Sequence, residues 1–319
     1  MGNARSALAR KKRSKTSSKQ EANQNSSLPS SQSSRSRVQS KIIGGREFHN
    51  EEKSVYVLAK DDEEKDRLHE QHFLIKETFG NLLLADLVSP LFENDIDVLD
   101  VGCGPGSWVL DMATEYPHVQ FYGTDISDTF PQSIYPRNCH FSLSNVLDDN
   151  PFNRQFEFIQ MRFFAVALRA TEWKVAYTNL YKLLKPGGYL QVLEPSILMD
   201  TEDQDIQDVI GAFTKLLEKK GQDYDIGPKI PGMLKDVGFN LLMDHKLKSP
   251  IGWGGKITER GAEDMRSLYH SIAPFLATAL EMDVDTCNEK IDRAVNAMGP
   301  TKTTVNIWAY LAQKPLAEV

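Results

Sequence analysis

The chain has 319 residues, 40% of them hydrophobic and 25% charged, enough to bury one large α/β core, and its formal charge of −7 conceals a division. Residues 1 to 41 hold ten Lys/Arg against the single acid Glu21, leaving 27 Lys/Arg against 43 Asp/Glu, a net of −16, in the rest. So acidic a body lacks the clustered cations that grip phosphate backbones, which argues against nucleic acid as a partner of the folded part.

Three cysteines, Cys103, Cys139 and Cys287, form no C-x-x-C pair, so neither a metal site nor a disulfide framework is legible, and a reducing, cytoplasmic setting is expected. No stretch approaches the about 20 apolar residues of a spanning helix. The most apolar run, Leu82 to Ala85, stops at Asp86, and the N-terminus shows no apolar secretory segment.

Residues 1–50 read as a disordered, basic, serine-rich tail, since residues 1 to 41 contain twelve serines and almost no large apolar side chains to offset the entropy of ordering. Its first six residues, Met1 to Ser6, match M-G-x-x-x-[ST], which makes Gly2 a candidate for N-myristoylation. One acyl chain binds a bilayer marginally, and Arg10, Lys11, Lys12, Arg13, Lys15 and Lys19 would add about 1 kcal/mol each near anionic lipid, so peripheral membrane contact is expected of the tail. The competing readings are a solvated tail without a specific role and a nuclear import signal at Lys11 to Lys15. Ser14, Ser17 and Ser18 lie among these cations, where phosphorylation would cancel charge.

Asp61 to Leu87 predicts one or two helices, with Asp61, Asp62, Glu63 and Glu64 in the first turn where the helix dipole favours acids. Beyond it, strands are predicted at 98–101, 121–124, 141–144, 156–161 and 189–194, with helices at 108–116 and 171–184, the alternation of βαβ units. After Glu194 come a helix over 203–220 ending at Gly221 and a short helix over 231–237 closed by Gly238. A strand over 239–247, a helical segment over 262–282 interrupted near Pro274, and a last strand over 303–312 complete the chain. The fold class is therefore α/β, with a seven-stranded, mostly parallel sheet, helices on both faces and a helical lid insertion. The folded domain spans 51–319, its ligand-binding core about 90–195 and its lid about 199–300.

The most informative stretch runs from Val98 to Ser107, an apolar strand entering the turn Gly102-Cys103-Gly104-Pro105-Gly106 and then a helix. Glycines there tolerate positive φ and let the backbone approach a ligand. The spacing is G-x-G-x-G, with Ser107 where a dinucleotide fingerprint has its last glycine, so a nicotinamide oxidoreductase is the weaker reading. Asp125 ends the next strand, 25 positions after Asp100, where a carboxylate can accept both hydroxyls of a ribose.

Leu99-Asp100-Val101-Gly102-Cys103-Gly104-Pro105-Gly106 resembles the first motif of class I S-adenosylmethionine-dependent methyltransferases, and Leu183-Leu184-Lys185-Pro186-Gly187-Gly188-Tyr189-Leu190 resembles their turn before the fifth strand. More narrowly, Asp66 to His72, Asn145-Val146 with Pro151-Phe152, and Pro250 to Trp253 resemble fungal methyltransferases similar to the regulators of secondary metabolism, over roughly residues 55 to 315. The resemblance implies a Rossmann-like sheet and S-adenosyl-L-methionine as cofactor. It places Gly102, Cys103 and Gly104 at the methionine end with Asp100 close by and Gly106 in the same turn. Asp125 would hold the ribose, Ile126 would pack on the adenine, Val146 would be among the cofactor-binding residues, and Asn145 stands where many class I enzymes have an Asp that accepts from the adenine amino group. Gln160, Met161 and Arg162 would face the reacting methyl, although Met161 reads equally as core.

In-line methyl transfer from a sulfonium requires no metal and no covalent intermediate, only alignment and exclusion of water. If a base is needed, His72, Glu194 and His245 are the candidates, each with an equally good structural reading, so no catalytic residue is assigned. The region from Met199 to Pro300 is expected to form the acceptor pocket, for a small metabolite, a lipid or a protein side chain, and Trp253 is either a lid aromatic or a loop residue packed under a strand. A catalytically inactive regulator that keeps the cofactor fold as an interaction platform is the alternative function.

Overall fold

The computed structural model describes residues 40–49, 55–148 and 152–317. Gly2 and the basic cluster lie outside them. Among the described residues no helix is long and apolar enough to cross a membrane.

The described chain opens with a hairpin, β1 (Ser40–Ile43) and β2 (Arg46–His49), inside the span that the sequence reading assigns to the tail. Gly44 and Gly45 turn it at φ 56° and 80°, and buried Phe48 meets Phe275 edge-on with ring centroids 5.4 Å apart. One anchored aromatic and a two-glycine turn are enough to move the start of the fold from residue 51 to Ser40.

The remaining elements, in chain order, are α1 (Asp62–Phe79), a 3-10 segment (Asp86–Glu93), β3 (Asp97–Val101), α2 (Ser107–Glu115), β4 (Gln120–Asp125), β5 (Cys139–Leu143), β6 (Phe156–Arg162), α3 (Trp173–Leu183) and β7 (Leu184–Asp200). Then follow α4 (Gln204–Lys219), α5 (Ile230–Val237), β8 (Asn240–Pro250), α6 (Lys256–Ser271), α7 (Ala273–Ala279), α8 (Val284–Met298) and β9 (Thr304–Gln313). Asp61 caps α1 by accepting from the Glu64 N–H at 3.0 Å, and Gly80 closes it in the left-handed region. The helical segment interrupted near Pro274 is two helices, α6 and α7, with the proline in the first turn of α7, where its missing N–H costs nothing.

Strands β3 to β9 form one sheet in the order β5-β4-β3-β6-β7-β9-β8, parallel except for β9, which runs against both neighbours. From β3 the chain builds outward through β4 and β5, then crosses to β6 on the other side. The strand order reverses at β3, and a crevice opens beyond the C-terminal ends of β3, β4 and β6.

Both faces of β3 are covered, which is why it reads as a continuous apolar run rather than an alternating one. Val98 packs with Trp108, Phe121 and Phe158 on one face, and Leu99 and Val101 pack with Trp173, Tyr177 and Leu180 on the other. Each such buried side chain contributes about 1.5–3 kcal/mol of transfer free energy. A third apolar cluster joins α4, α6, α7 and α8 to Leu193, Val305 and Ile307, forming a helical cover beside the crevice.

Candidate functional site

The turn after β3 holds Gly102, Gly104 and Gly106 at φ 65°, 54° and 78°. A Cβ on Gly102 would lie 2.6 Å from the Phe164 ring and one on Gly106 2.8 Å from Phe141, whereas at Gly104 only Leu68 Cδ1 comes within reach, at 3.8 Å. Packing therefore requires the outer two glycines, and the middle one faces open space. Asp125 fastens the turn: its Oδ2 accepts the Gly104 N–H and its Oδ1 the Ser127 N–H, both at 2.9 Å.

Gly102, Cys103, Gly104, Asp125, Ile126, Asn145 and Val146 all line one cleft, which encloses about 1250 Å³ of non-protein space including its mouth. Burial pushes the Asp125 carboxyl up against the pull of the backbone N–H groups of Gly104, Ser127 and Ile126. Asn145 Oδ1 already accepts from the Leu147 N–H at 3.0 Å, leaving that oxygen one lone pair to offer.

Other residues named from the sequence lie behind the wall. Gly106 caps α2. Asp100 is 1% exposed, and neither of its oxygens has a hydrogen-bond partner among the described residues. Burial drives its carboxyl up to about 7, against the charge of Arg162. The expectation that Met161 and Gln160 face the ligand is corrected. Met161 points to the opposite face of β6, into the cluster of Leu99 and Val101. Gln160 is buried one step deeper than Arg162, where its Oε1 accepts from Gln191 Nε2 at 2.7 Å. Of the three, Arg162 alone reaches the cleft.

Helix α1 supplies the walls that motif reading left without a role. Leu68, Gln71 and His72 line the cleft, together with Tyr56, Ala59 and Lys60 from the segment before the helix. His69 Nδ1 is 3.0 Å from Ser107 Oγ, the first residue of α2. His72 is fully enclosed; its Nε2 lies 3.0 Å from Asp111 Oδ2 and its Nδ1 3.3 Å from an Arg162 nitrogen. Burial, reinforced by Arg162, lowers its pKa to about 4, so the ring is neutral and its proton resides on Nε2, against the carboxylate.

A second cavity, about 1160 Å³ with its mouth, lies between α1, β7, β9 and the cover, and its walls are mainly apolar, including Phe213, Met265, Tyr269 and Ile307. Tyr56, Leu68, Gln71 and Phe163 border both spaces. Phe163, at φ 63°, makes the turn out of β6 that this seam requires, and Glu194 braces it by accepting the N–H groups of Phe164 and Ala165 at 2.7 and 3.1 Å. Burial pushes the Glu194 carboxyl up to about 8. Beside the seam, Arg67 pairs with Glu64 at 2.6 Å and with Asp264 of α6 at 3.0 Å, and Gln71 Nε2 donates to the same Asp264 at 3.1 Å.

The structure sorts the remaining candidates. His245 is exposed on β8 and lines neither space. Trp253 Nε1 donates to the Thr303 carbonyl at 2.7 Å and Lys302 covers its ring, so it packs under the strand start rather than acting as a lid.

Comparison with known proteins follows this geometry. The methyltransferase domain family matches residues 98–188. The N-methyltransferase tcpN of Claviceps purpurea (strain 20.1) is 31% identical over 206 residues, covering 60% of this chain and 70% of that one. The N-methyltransferase sirN of Leptosphaeria maculans is 28% identical over 247 residues, covering 72% and 86%. Among solved structures, Haemonchus contortus phosphoethanolamine N-methyltransferase 2 in complex with S-adenosyl-L-methionine aligns over 77% of this chain and 57% of that chain, at 14% identity and a TM-score of 0.44.

Proposed function

Since the chain belongs to the class I S-adenosylmethionine-dependent methyltransferases, we propose that it transfers a methyl group in line to a nitrogen of a small-molecule acceptor held in the second cavity. The observation that carries this reading is the shared seam: the cleft at the sheet edge and the apolar cavity under the cover meet at Tyr56, Leu68, Gln71 and Phe163.

The residues present suit the cofactor. Gly104 leaves a cradle that a side chain would fill, Asp125 keeps a lone pair on each oxygen beyond those given to backbone N–H groups, and buried Asp100 has two unpartnered oxygens. Asp125 would accept from the ribose hydroxyls, and Ile126 and Val146 would pack on the adenine beside Asn145. Bound there, S-adenosylmethionine supplies an electrophilic methyl on a sulfonium. The chain's own contribution is to orient the acceptor through the seam and to keep water out with the apolar walls behind it.

A nitrogen acceptor is favoured by the names of the two relatives, both N-methyltransferases. It is also favoured by the engagement of the two candidate bases: both nitrogens of His72 and both oxygens of Glu194 have partners. A neutral amine attacks without a base. The test is calorimetry with S-adenosylmethionine, followed by transfer of its labelled methyl to a panel of small amines and amides. Micromolar binding with turnover supports the proposal; binding without turnover on any of them, or no binding by a folded chain, would favour the non-catalytic regulator.

A further inference from the structure

Gln71 borders both spaces at the seam, in the Asp66 to His72 segment, and no cofactor contact falls to it. It is half-buried on α1, and its amide is held at one end only. Nε2 donates to Asp264 Oδ2 at 3.1 Å, while Oε1 has no hydrogen-bond partner among the described residues. What the amide faces decides which way it points. Asp264 is paired through Oδ1 with Arg67 at 3.0 Å, and Glu64 holds the same guanidinium at 2.6 and 3.0 Å. A carboxylate in an ion pair accepts and does not donate, so the amide turns its NH2 to Asp264 and its oxygen the other way. That oxygen is not sealed within protein, and it opens onto the space that Gln71 lines. Of its three companions at the seam, Leu68 and Phe163 are apolar and Tyr56 brings a hydroxyl, so Gln71 supplies a pure acceptor where the two cavities meet.

We propose that Gln71 Oε1 accepts the N–H of the nitrogen to be methylated, that Asp264 is the positioning residue that aims the amide, and that the acceptor is an uncharged primary or secondary amine on an aromatic or alicyclic body. This rests on the reading of the second cavity as the acceptor pocket. Its mainly apolar walls, Phe213, Met265, Tyr269 and Ile307 among them, suit such a body and disfavour the protonated amine, which would lose its hydration there. A nitrogen held by its N–H keeps its lone pair off the hydrogen-bond axis and available for attack. In the transfer that lone pair forms the new N–C bond, the electron pair of the breaking C–S bond goes to sulfur, and the proton stays on the nitrogen, which leaves as an ammonium. Gln71 accepts from the same N–H throughout, so the hydrogen bond becomes charge-assisted as the nitrogen turns positive, and it favours the transition state over the bound amine. A tertiary amine has no N–H to give and would close Oε1 off from water without a partner, so it is rejected.

Two probes isolate the contact: N-methylaniline, which has one N–H, and N,N-dimethylaniline, which has none, both uncharged at neutral pH. Each is titrated calorimetrically into the full chain in the presence of S-adenosylhomocysteine, every variant being checked for a cooperative melt. Gln71→Met keeps the length of the side chain and removes its polar atoms. It should shift the ratio of the two affinities about fivefold toward N,N-dimethylaniline, the loss of one hydrogen bond between neutral groups. The extra methyl is common to both proteins, so the change in ratio reports the N–H contact and not the fit of the ring. Asp264→Asn, whose amide can face either end of the Gln71 amide, should shift the ratio the same way by less, and it decides the matter should the methionine variant fail to fold. An unchanged ratio would overturn the assignment of Gln71, as would a trimethylanilinium product carrying the labelled methyl when N,N-dimethylaniline is offered with labelled S-adenosylmethionine. If the parent protein binds neither amine, the cavity is not the acceptor pocket and the proposed function fails with it, an outcome distinct from the other two.

Discussion

The backbone N–H of Gly104 donates to Oδ2 of Asp125 at 2.9 Å, so the acid that ends β4 also fixes the turn that follows β3. Asp125→Ala therefore removes two things together, the proposed ribose acceptor and the tie between adjacent βα turns. Hydrogen bonds to a charged group contribute about 1.5–3 kcal/mol each, so affinity for S-adenosylmethionine should fall at least about tenfold and the melting temperature should drop as well. Asp125→Asn, which keeps one acceptor oxygen, should lose less of both. Unchanged calorimetric affinity in a folded alanine variant would remove Asp125 from the ribose.

Glycine substitutions in the turn should separate packing from ligand contact. At Gly102 an added Cβ would meet the buried Phe164 ring at 2.6 Å, while at Gly104 it would meet only Leu68 at 3.8 Å. Both positions have positive φ, a conformation that costs an L residue about 1–2 kcal/mol. Gly102→Ala should therefore destabilise by clearly more than that, and Gly104→Val by about that amount from strain while its branched side chain enters the cleft and abolishes binding. Thermal melts with and without S-adenosylhomocysteine make the comparison. A Gly104→Val protein that still gains stability from the ligand would show that the cradle is not where the cofactor rests.

The sequence carried much of the sheet because β3 and β6 are buried on two faces and β4 ends in a motif. β3, β4 and β6 match their predicted ranges to within a residue at either end. It did not carry α8. Its buried positions, Cys287, Ile291, Ala294, Val295 and Met298, have helical spacing, but small and weakly apolar side chains blur the stripe, and the Asp283 cap becomes evident only with the Thr286 N–H placed at 2.9 Å. The glycine turn, Asp125 and Asn145 were legible at the site because the chain brings them together locally, one βα unit at a time. The contribution of α1 was not, because His72 meets Arg162 across 90 positions and Arg67 meets Asp264 across 197. Such pairings depend on where a helix crosses the sheet edge, which no local pattern encodes. Met161 was misplaced for the opposite reason: alternation along β6 is strict, and a one-residue step turns a side chain from cleft to core.

Asp264 should act as the clasp between α1 and the helical cover, since Arg67 and Gln71 both donate to it. Removing one partner of a buried ion pair costs about 3–5 kcal/mol. Glu64 stays at Arg67 in an Asp264→Ala protein, so the loss should lie near the lower end of that range. Denaturant unfolding measures it. Hydrogen exchange should also show faster opening of α6 with β3 and β4 unaffected. Exchange that rises evenly across the sheet would mean that the pair supports the whole fold rather than the seam.

The last prediction concerns acid. His72 is held neutral, its pKa lowered from 6.5 to about 4, first by burial and then by Arg162, with Asp111 opposing. In the unfolded chain the ring takes a proton near its ordinary pKa, so between about 6.5 and 4 the unfolded state binds the extra proton and stability is lost as pH falls. The full displacement is equivalent to about 3 kcal/mol. Asp100 and Glu194 act with the opposite sign: their folded pKa values are raised to about 7 and about 8, so the folded state gains protons first and stability rises as the solution is acidified through the same window. The net curve of the parent protein therefore does not isolate the histidine. The difference between the parent and His72→Gln does, because the carboxyl contributions are common to both. Stability measured by denaturant unfolding at pH 7, 5.5 and 4 should show the parent losing about 3 kcal/mol relative to the glutamine variant over that range. Parallel curves would mean that His72 takes up its proton in the folded chain as it does in the unfolded one, so that burial does not hold the ring neutral below about 6.5.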